Sequence, residues 1–89
     1  MRITLAVKTI LNLFLSAKPQ SEWCGVQIRE ETDLPSGTIS PILRRFEEAG
    51  WLLSRWEAEK TAFKAGRPRR RYYRMTPEGR KQAREKEIE

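Results

Sequence analysis

The chain contains no histidine and only one cysteine, Cys24. Without histidine, most general acid–base pairs, activated nucleophiles and zinc sites drop out together. Cys24 has no second cysteine to pair with, which suits a reducing, cytoplasmic setting. It is expected to be a small buried side chain beside Trp23 rather than a reactive thiol. The acidic residues Glu30, Glu31 and Asp33 read as an exposed helix end, not a metal cluster. No enzyme, no cofactor and no metal are therefore expected.

Long apolar runs are also missing. No stretch approaches the roughly 20 residues that cross a bilayer, so no membrane partner is expected. The opening MRITLAVKTILNLFLSAK has the charge and apolar stretch of a signal peptide, but Lys8 and Asn12 interrupt it. It reads instead as the first helix of the domain.

What the sequence does have is basic charge in one place. Of 89 residues, 18 are Lys or Arg and 12 are Asp or Glu, a net charge of +6. Residues 60–74, KTAFKAGRPRRRYYR, hold seven of the basic residues and no acidic one. The rest of the chain then carries 11 basic against 12 acidic residues, a net charge of −1. A basic tract that is internal and interleaved with aromatics points to a polyanionic partner.

The length fits a single domain over 1–89. On a helical wheel, Ile3, Val7, Ile10 and Phe14 form a stripe widened by Ala6, Leu11 and Leu13, which predicts a helix over 3–16. Leu5 points the opposite way, among polar residues. A second helix is expected over 22–32 with Ser21 as its cap and Val26 and Ile28 as its apolar residues. Turn residues follow at TDLPSG, with Ser36 read as the N-cap of a third helix over 36–49. Ile39, Leu43 and Phe46 give that helix a buried face, and Gly50 ends it in a left-handed conformation. Strands are expected over 51–59 and 70–76, joined by a projecting basic loop around Gly66 and Pro68. Alternation in the second strand groups Arg71, Tyr73 and Met75 on one face. Glu57 or Glu59 is placed to pair with Arg71 or Arg74 across the strands. Thr76 then caps a last helix over 77–88, with Pro77 at its first position.

This order gives a mainly α fold with a small two-stranded antiparallel wing, a winged helix-turn-helix. The third helix fits a DNA major groove, and the wing reaches the backbone or the minor groove. The stretches SGTISPILRRFEEAGWLLSRWE and GRPRRRYYRMTPEGR resemble the PadR-type transcriptional regulators over roughly residues 5–84. In that family a proline inside the recognition helix, paired arginines and a closing glycine precede the wing, and a tyrosine pair and a Thr-Pro-Glu-Gly run follow it. This chain has Ser40 where the family usually has an aromatic before the proline. It has Cys24, Gly25 and Val26 where a His-Gly-Tyr stretch often opens the second helix. The resemblance implies a homodimeric regulator of transcription. Small phage-type excisionases, which bend DNA for a recombinase, are the alternative for a basic winged helix of this size.

The residues assign themselves roles within that fold. Pro41 removes a backbone hydrogen bond from the third helix, and a helix-interior proline costs about 3 kcal/mol. With Gly37 it leaves a first turn free of bulk that can press into a groove. Ser36, Thr38 and Ser40 add small donors and acceptors. Arg44 and Arg45 follow one turn on, long enough for a phosphate or a guanine edge. Lys64, Arg67, Arg69 and Arg70 are expected to stand exposed on the wing against phosphates or in the minor groove. The family uses a longer final helix for dimerisation, but here seven of residues 80–89 are charged. The dimer contact is therefore expected on the first helix, through Leu5 and Leu13. No small-molecule ligand is expected.

Overall fold

A computed structural model describes residues 2–88; Met1 and Glu89 of the expected 1–89 domain lie outside them. Eight elements follow in chain order: α1 (Leu5–Ser16), β1 (Trp23–Cys24), α2 (Gly25–Thr32), α3 (Ser36–Glu48), β2 (Leu52–Trp56), α4 (Glu59–Ala65), β3 (Arg71–Met75) and α5 (Pro77–Ile88).

The core lies between the helices and one face of the sheet. Val7, Ile10, Leu11 and Phe14 of α1 meet Ile28 of α2, Ile39, Leu43 and Phe46 of α3, and Leu52 and Met75 of the sheet. Ile10, Ile28, Phe46 and Leu52 are completely buried, each contributing about 1.5–3 kcal/mol. Helix α1 begins at Leu5, two residues later than its periodicity suggests. Thr4 precedes it in extended backbone and accepts a hydrogen bond from the Val7 N–H at 3.2 Å, which caps the helix. Ile3, before the cap, still packs against the core.

Three expectations are corrected here. The sheet has three strands in the order β1-β3-β2, all antiparallel, rather than two. Trp23 pairs with Tyr73 and Cys24 with Tyr72, so the residues expected to open the second helix at 22 are extended. Helix α2 consequently starts at Gly25, and Cys24 rather than Ser21 is its cap, with its own N–H donating to Gln27 Oε1 at 2.9 Å. Cys24 itself is buried as expected. Val26 does not join the core; it is exposed, and Ile28 alone anchors α2.

The second correction concerns α3. It runs from Ser36 to Glu48, with Pro35 in the cap position and no side-chain cap. Ser36 is thus the first helical residue, not the N-cap, because Pro35 already holds the extended backbone and its carbonyl accepts the Thr38 and Ile39 N–H groups. The third correction concerns the wing. Strand β2 stops at Trp56 rather than continuing to 59, and Glu59–Ala65 form a helix where a loop is expected. Ala62 on that helix is 3% exposed, and Gly66 closes it at φ 68°. Charge dominates the tract, so a short helix held by one buried alanine leaves little periodic signal.

Helix α3 ends in a tight closure that sets up the wing. Gly50 has φ 79°, a conformation that favours glycine. Its N–H donates to the Glu47 carbonyl and the Trp51 N–H to the Phe46 carbonyl, the two bonds of a Schellman motif. Trp51 and Phe46 then stack with ring centroids 5.3 Å apart. Thr76 caps α5 as expected, accepting the Gly79 N–H at 2.9 Å and donating to the Gly50 carbonyl at 2.7 Å. Gly79 is buried against Trp51, where an added Cβ would overlap the Trp51 backbone.

Replacing Gly79 with alanine tests this approach. Helix propensity alone would favour alanine by about 1 kcal/mol. The obstruction is backbone, which no rotamer change relieves, so a net loss of about 1–3 kcal/mol is expected in urea unfolding.

Candidate nucleic-acid interface

Helix α3 buries Ile39, Ile42, Leu43 and Phe46 and leaves its other side uncovered. Ser36, Gly37, Ser40, Pro41, Arg44, Arg45 and Glu48 are exposed, and Thr38 is half-buried at the boundary. Gly37, Ser40, Pro41 and Arg44 follow 3-4-7 spacing and so form one row. Pro41 has no N–H to donate to the Gly37 carbonyl four residues earlier, and both residues lie on the solvent side. Nothing lies within 4 Å of a Cβ built on Gly37, so the fold itself does not require glycine there.

That row borders a cleft of about 740 Å³. One wall is Ser36, Ser40, Arg44 and Glu47 of α3; the opposite wall is the segment from Arg67 to Arg71. Cys24, Leu43 and Tyr73 are among the residues that complete its lining. Burial raises the pKa of the Tyr73 hydroxyl, so it stays protonated in this setting. The cleft brings together five arginines from two distant parts of the chain: Arg44, Arg67, Arg69, Arg70 and Arg71.

The wall of the cleft is fixed to α3 by a closed polar triangle. Arg71 Nε donates to Ser54 Oγ at 3.0 Å, Ser54 Oγ donates to Glu47 Oε2 at 2.5 Å, and Arg71 Nη2 donates to the same oxygen at 3.2 Å. Helix α3, β2 and β3 each supply one member. Arg71 therefore pairs with Glu47, not with Glu57 or Glu59 as expected. Its guanidinium also lies 5.3 Å from the Trp56 ring centroid.

Arg69 is exposed as expected, but Arg67 is only half-exposed, and both are held by hydrogen bonds instead of standing free at a projecting tip. Glu57, 6% exposed, accepts two hydrogen bonds from Arg67, at 2.6 and 2.9 Å. The Arg70 N–H donates to the same carboxylate at 3.3 Å, and Arg69 Nε donates to the Glu57 carbonyl at 2.7 Å. Arg69 also approaches Glu59 at 3.7 Å and lies over the Trp56 ring. Residues 67–70 thus fold around one carboxylate and form a buckle at the base of α4. Strand alternation offers Glu57 a partner directly across the sheet; its actual partner, Arg67, lies ten residues on, beyond α4, and has no sequence signature.

Among the described residues, Arg44, Arg45, Lys60, Lys64 and Arg70 make no ion pair. Together with Arg74, they are the cations of α3 and of residues 52–75 that make no such pair among the described residues. Arg44 lines the cleft, Arg45 is exposed on α3, and Lys64 sits on α4. On the outer face of the sheet Arg55 makes a bidentate pair with Glu22 at 2.7 and 2.8 Å, which lowers the Glu22 pKa. Among the described residues, no group of three metal-ligating side chains occurs, and no helix is long and apolar enough to cross a membrane.

The model of the PadR-like family of transcriptional regulators matches residues 25–85. The chain belongs to that family. A comparison with the curated proteins finds no match. Among solved structures, the chain resembles Bacillus subtilis PadR in complex with operator DNA, at 17% identity and a TM-score of 0.75, covering 97% of this chain and 49% of that one. A PadR-family transcriptional regulator from Eggerthella lenta matches at 29% identity and a TM-score of 0.70, covering 94% of this chain and 73% of that one. One from Clostridium difficile matches at 24% identity and a TM-score of 0.70, with 91% and 83% covered. The chain thus spans about half the length of Bacillus subtilis PadR and most of the other two.

The buckle ties the stability of this PadR-like wing to the ionised form of Glu57. The Arg67 guanidinium holds the Glu57 pKa below its usual value of 4.5, more than burial raises it. A carboxylate with a depressed folded-state pKa stabilises the fold above its unfolded pKa, and that contribution is lost as pH falls through the folded value. Arg67→Ala removes the partner and leaves the carboxylate buried. It is expected to lower the melting temperature at pH 7 more than Arg70→Ala does, and to shrink that difference below pH 4.5. Thermal melts of the variants between pH 3 and pH 8 check both.

Proposed function

We propose that the chain binds double-stranded DNA as a transcriptional regulator, a repressor by occupancy of its site. Helix α3 enters the major groove and the wing follows the adjoining backbone and minor groove. The observation that carries this reading is the cleft: an uncovered helix row on one side, an arginine-rich strand entry on the other. A cleft of that shape suits one sugar–phosphate strand, with the grooves on either side of it going to α3 and the wing.

Each residue then has a role. Gly37 and Pro41 keep the first turns of α3 free of bulk against base edges. Ser36, Thr38 and Ser40 supply short hydrogen-bonding groups. Arg44 reads a base edge, guanine O6 and N7 being the natural match for its fork. Arg45, Lys64 and Arg70 contact phosphates, and Arg69 joins them from its seat on Trp56. Arg67 acts through Glu57 by holding the wing in place. No catalysis is proposed, and family membership favours a regulator over an excisionase.

The electrostatic part is tested by salt. If roughly four to eight phosphates are neutralised per dimer, log affinity should fall with log salt at a slope of about −4 to −7. Arg44→Ala should cost about 1–3 kcal/mol on a site selected from a random duplex pool and relax its discrimination. Arg70→Ala should weaken selected and random duplexes alike. A flat salt response would remove the reading.

Assembly is proposed through α1. Leu5 is 82% exposed there, and Leu13 is half-buried at the margin of the core. Packing Leu5 against its two-fold mate would contribute about 1.5–3 kcal/mol per side chain. Sedimentation equilibrium should show a self-associating chain and a Leu5→Glu variant shifted toward monomer. A dimer indifferent to Leu5→Glu would place the contact elsewhere.

A further inference from the structure

The wing carries a feature that phosphate binding does not use. Phe63 on α4 is 86% exposed, more than any other large hydrophobic side chain of the described residues. Neither an aromatic ring nor a guanidinium stacks on it among them. It does not hang from a slack tip. Ala62 beside it is 3% exposed, and the Gly66 and Arg67 N–H groups close the helix onto the Phe63 and Ala62 carbonyls. The buckle around Glu57 then ties the same segment to the sheet.

The surroundings of the ring say what it fits. Lys60, three residues earlier, lies about 60° round the helix from the ring, and Lys64, the next residue, lies about 100° round on the same flank; both are exposed. The nearby Glu59 carboxylate is 3.7 Å from the Arg69 guanidinium, which offsets its charge. A ring projecting beside two exposed lysines, on a tract with seven basic residues and no acidic one, suits an anionic partner that also offers stacked apolar faces. Duplex DNA is that partner, since apolar side chains of minor-groove proteins insert between base steps and kink the helix.

We propose that Phe63 is a wedge: on DNA it enters a base step in the minor groove beside the site read by α3, with Lys60 and Lys64 on the flanking phosphates, and kinks the duplex. This rests on the DNA-binding reading above. It adds a specificity term without a hydrogen bond. Pyrimidine–purine steps unstack most readily, so sites selected from a random pool should carry one at a fixed distance from the element that Arg44 reads.

The test uses the full chain and the tightest duplex selected by it, with 2-aminopurine placed at that step and a donor–acceptor dye pair at the ends. The wild type should raise the 2-aminopurine fluorescence and bend the duplex by about 20–90°. Phe63→Ala should still bind, with the salt dependence of the wild type, but lose both signals. Phe63→Leu, which keeps an apolar wedge, should retain them. Wild-type binding to a duplex that stays straight would overturn the wedge while leaving the DNA-binding reading intact. So would a Phe63→Ala complex as bent as the wild type, or one changed only in its self-association, which would assign the ring to a contact between copies. Absence of any duplex binding by the wild type would overturn both.

Discussion

Trp51 is the joint through which the recognition helix, the wing and the last helix are held in one geometry. Its N–H closes α3 on the Phe46 carbonyl, and its ring lies against Phe46 at 5.3 Å. Its carbonyl receives the Thr76 N–H at 2.9 Å and the Thr76 hydroxyl at 3.1 Å. The same carbonyl is covered by Gly79 of α5, where no side chain fits. Strand β2 leaves directly from this residue. Backbone groups in fixed positions thus set where the wing leaves α3, before any side chain braces it. A cleft that must match the width of a sugar–phosphate strand benefits from that rigidity.

Two polar clusters complete the frame, and they divide the arginines by task. The Arg71–Ser54–Glu47 triangle braces the wing against α3, and the Arg67–Glu57 pair folds residues 67–70 back onto the sheet. Arg44, Arg45 and Arg70 make no such pair among the described residues. In the proposed complex Arg67 and Arg71 act as positioning groups, the unpaired arginines meet the DNA, and Arg69 joins them from its seat on Trp56. Charge in a basic tract is thus not interchangeable from residue to residue. Arg67 and Arg71 help to build the surface that Lys60, Lys64 and Arg70 present.

The parts of this arrangement that were legible in the sequence are those with periodic or local signals. Ile39, Leu43 and Phe46 declare the buried side of α3, Gly50 its end, and Thr76-Pro77 the start of α5. The exposed row with Gly37, Pro41 and Arg44 follows directly from that periodicity. The rest depends on pairings between distant residues. A two-residue strand at Trp23–Cys24 has no alternation to read and exists only because β3 offers a free edge. Helix α4 is anchored by a single alanine in a tract dominated by charge. Glu57 looks like any strand-end acid until Arg67 closes on it. The family resemblance supplied the architecture, but it did not distinguish structural arginines from available ones, since that distinction lies in side-chain partners.

The central claim is that the cleft between α3 and the Arg67–Arg71 segment is where DNA sits. Amide chemical-shift mapping addresses it most directly, by titrating a duplex selected from a random pool into the isotopically labelled chain. The largest shifts are expected at Ser36, Ser40 and Arg44 and across Arg67–Arg71, on both walls of the cleft at once. Shifts confined to α1 and α5, with both walls unchanged, would contradict it.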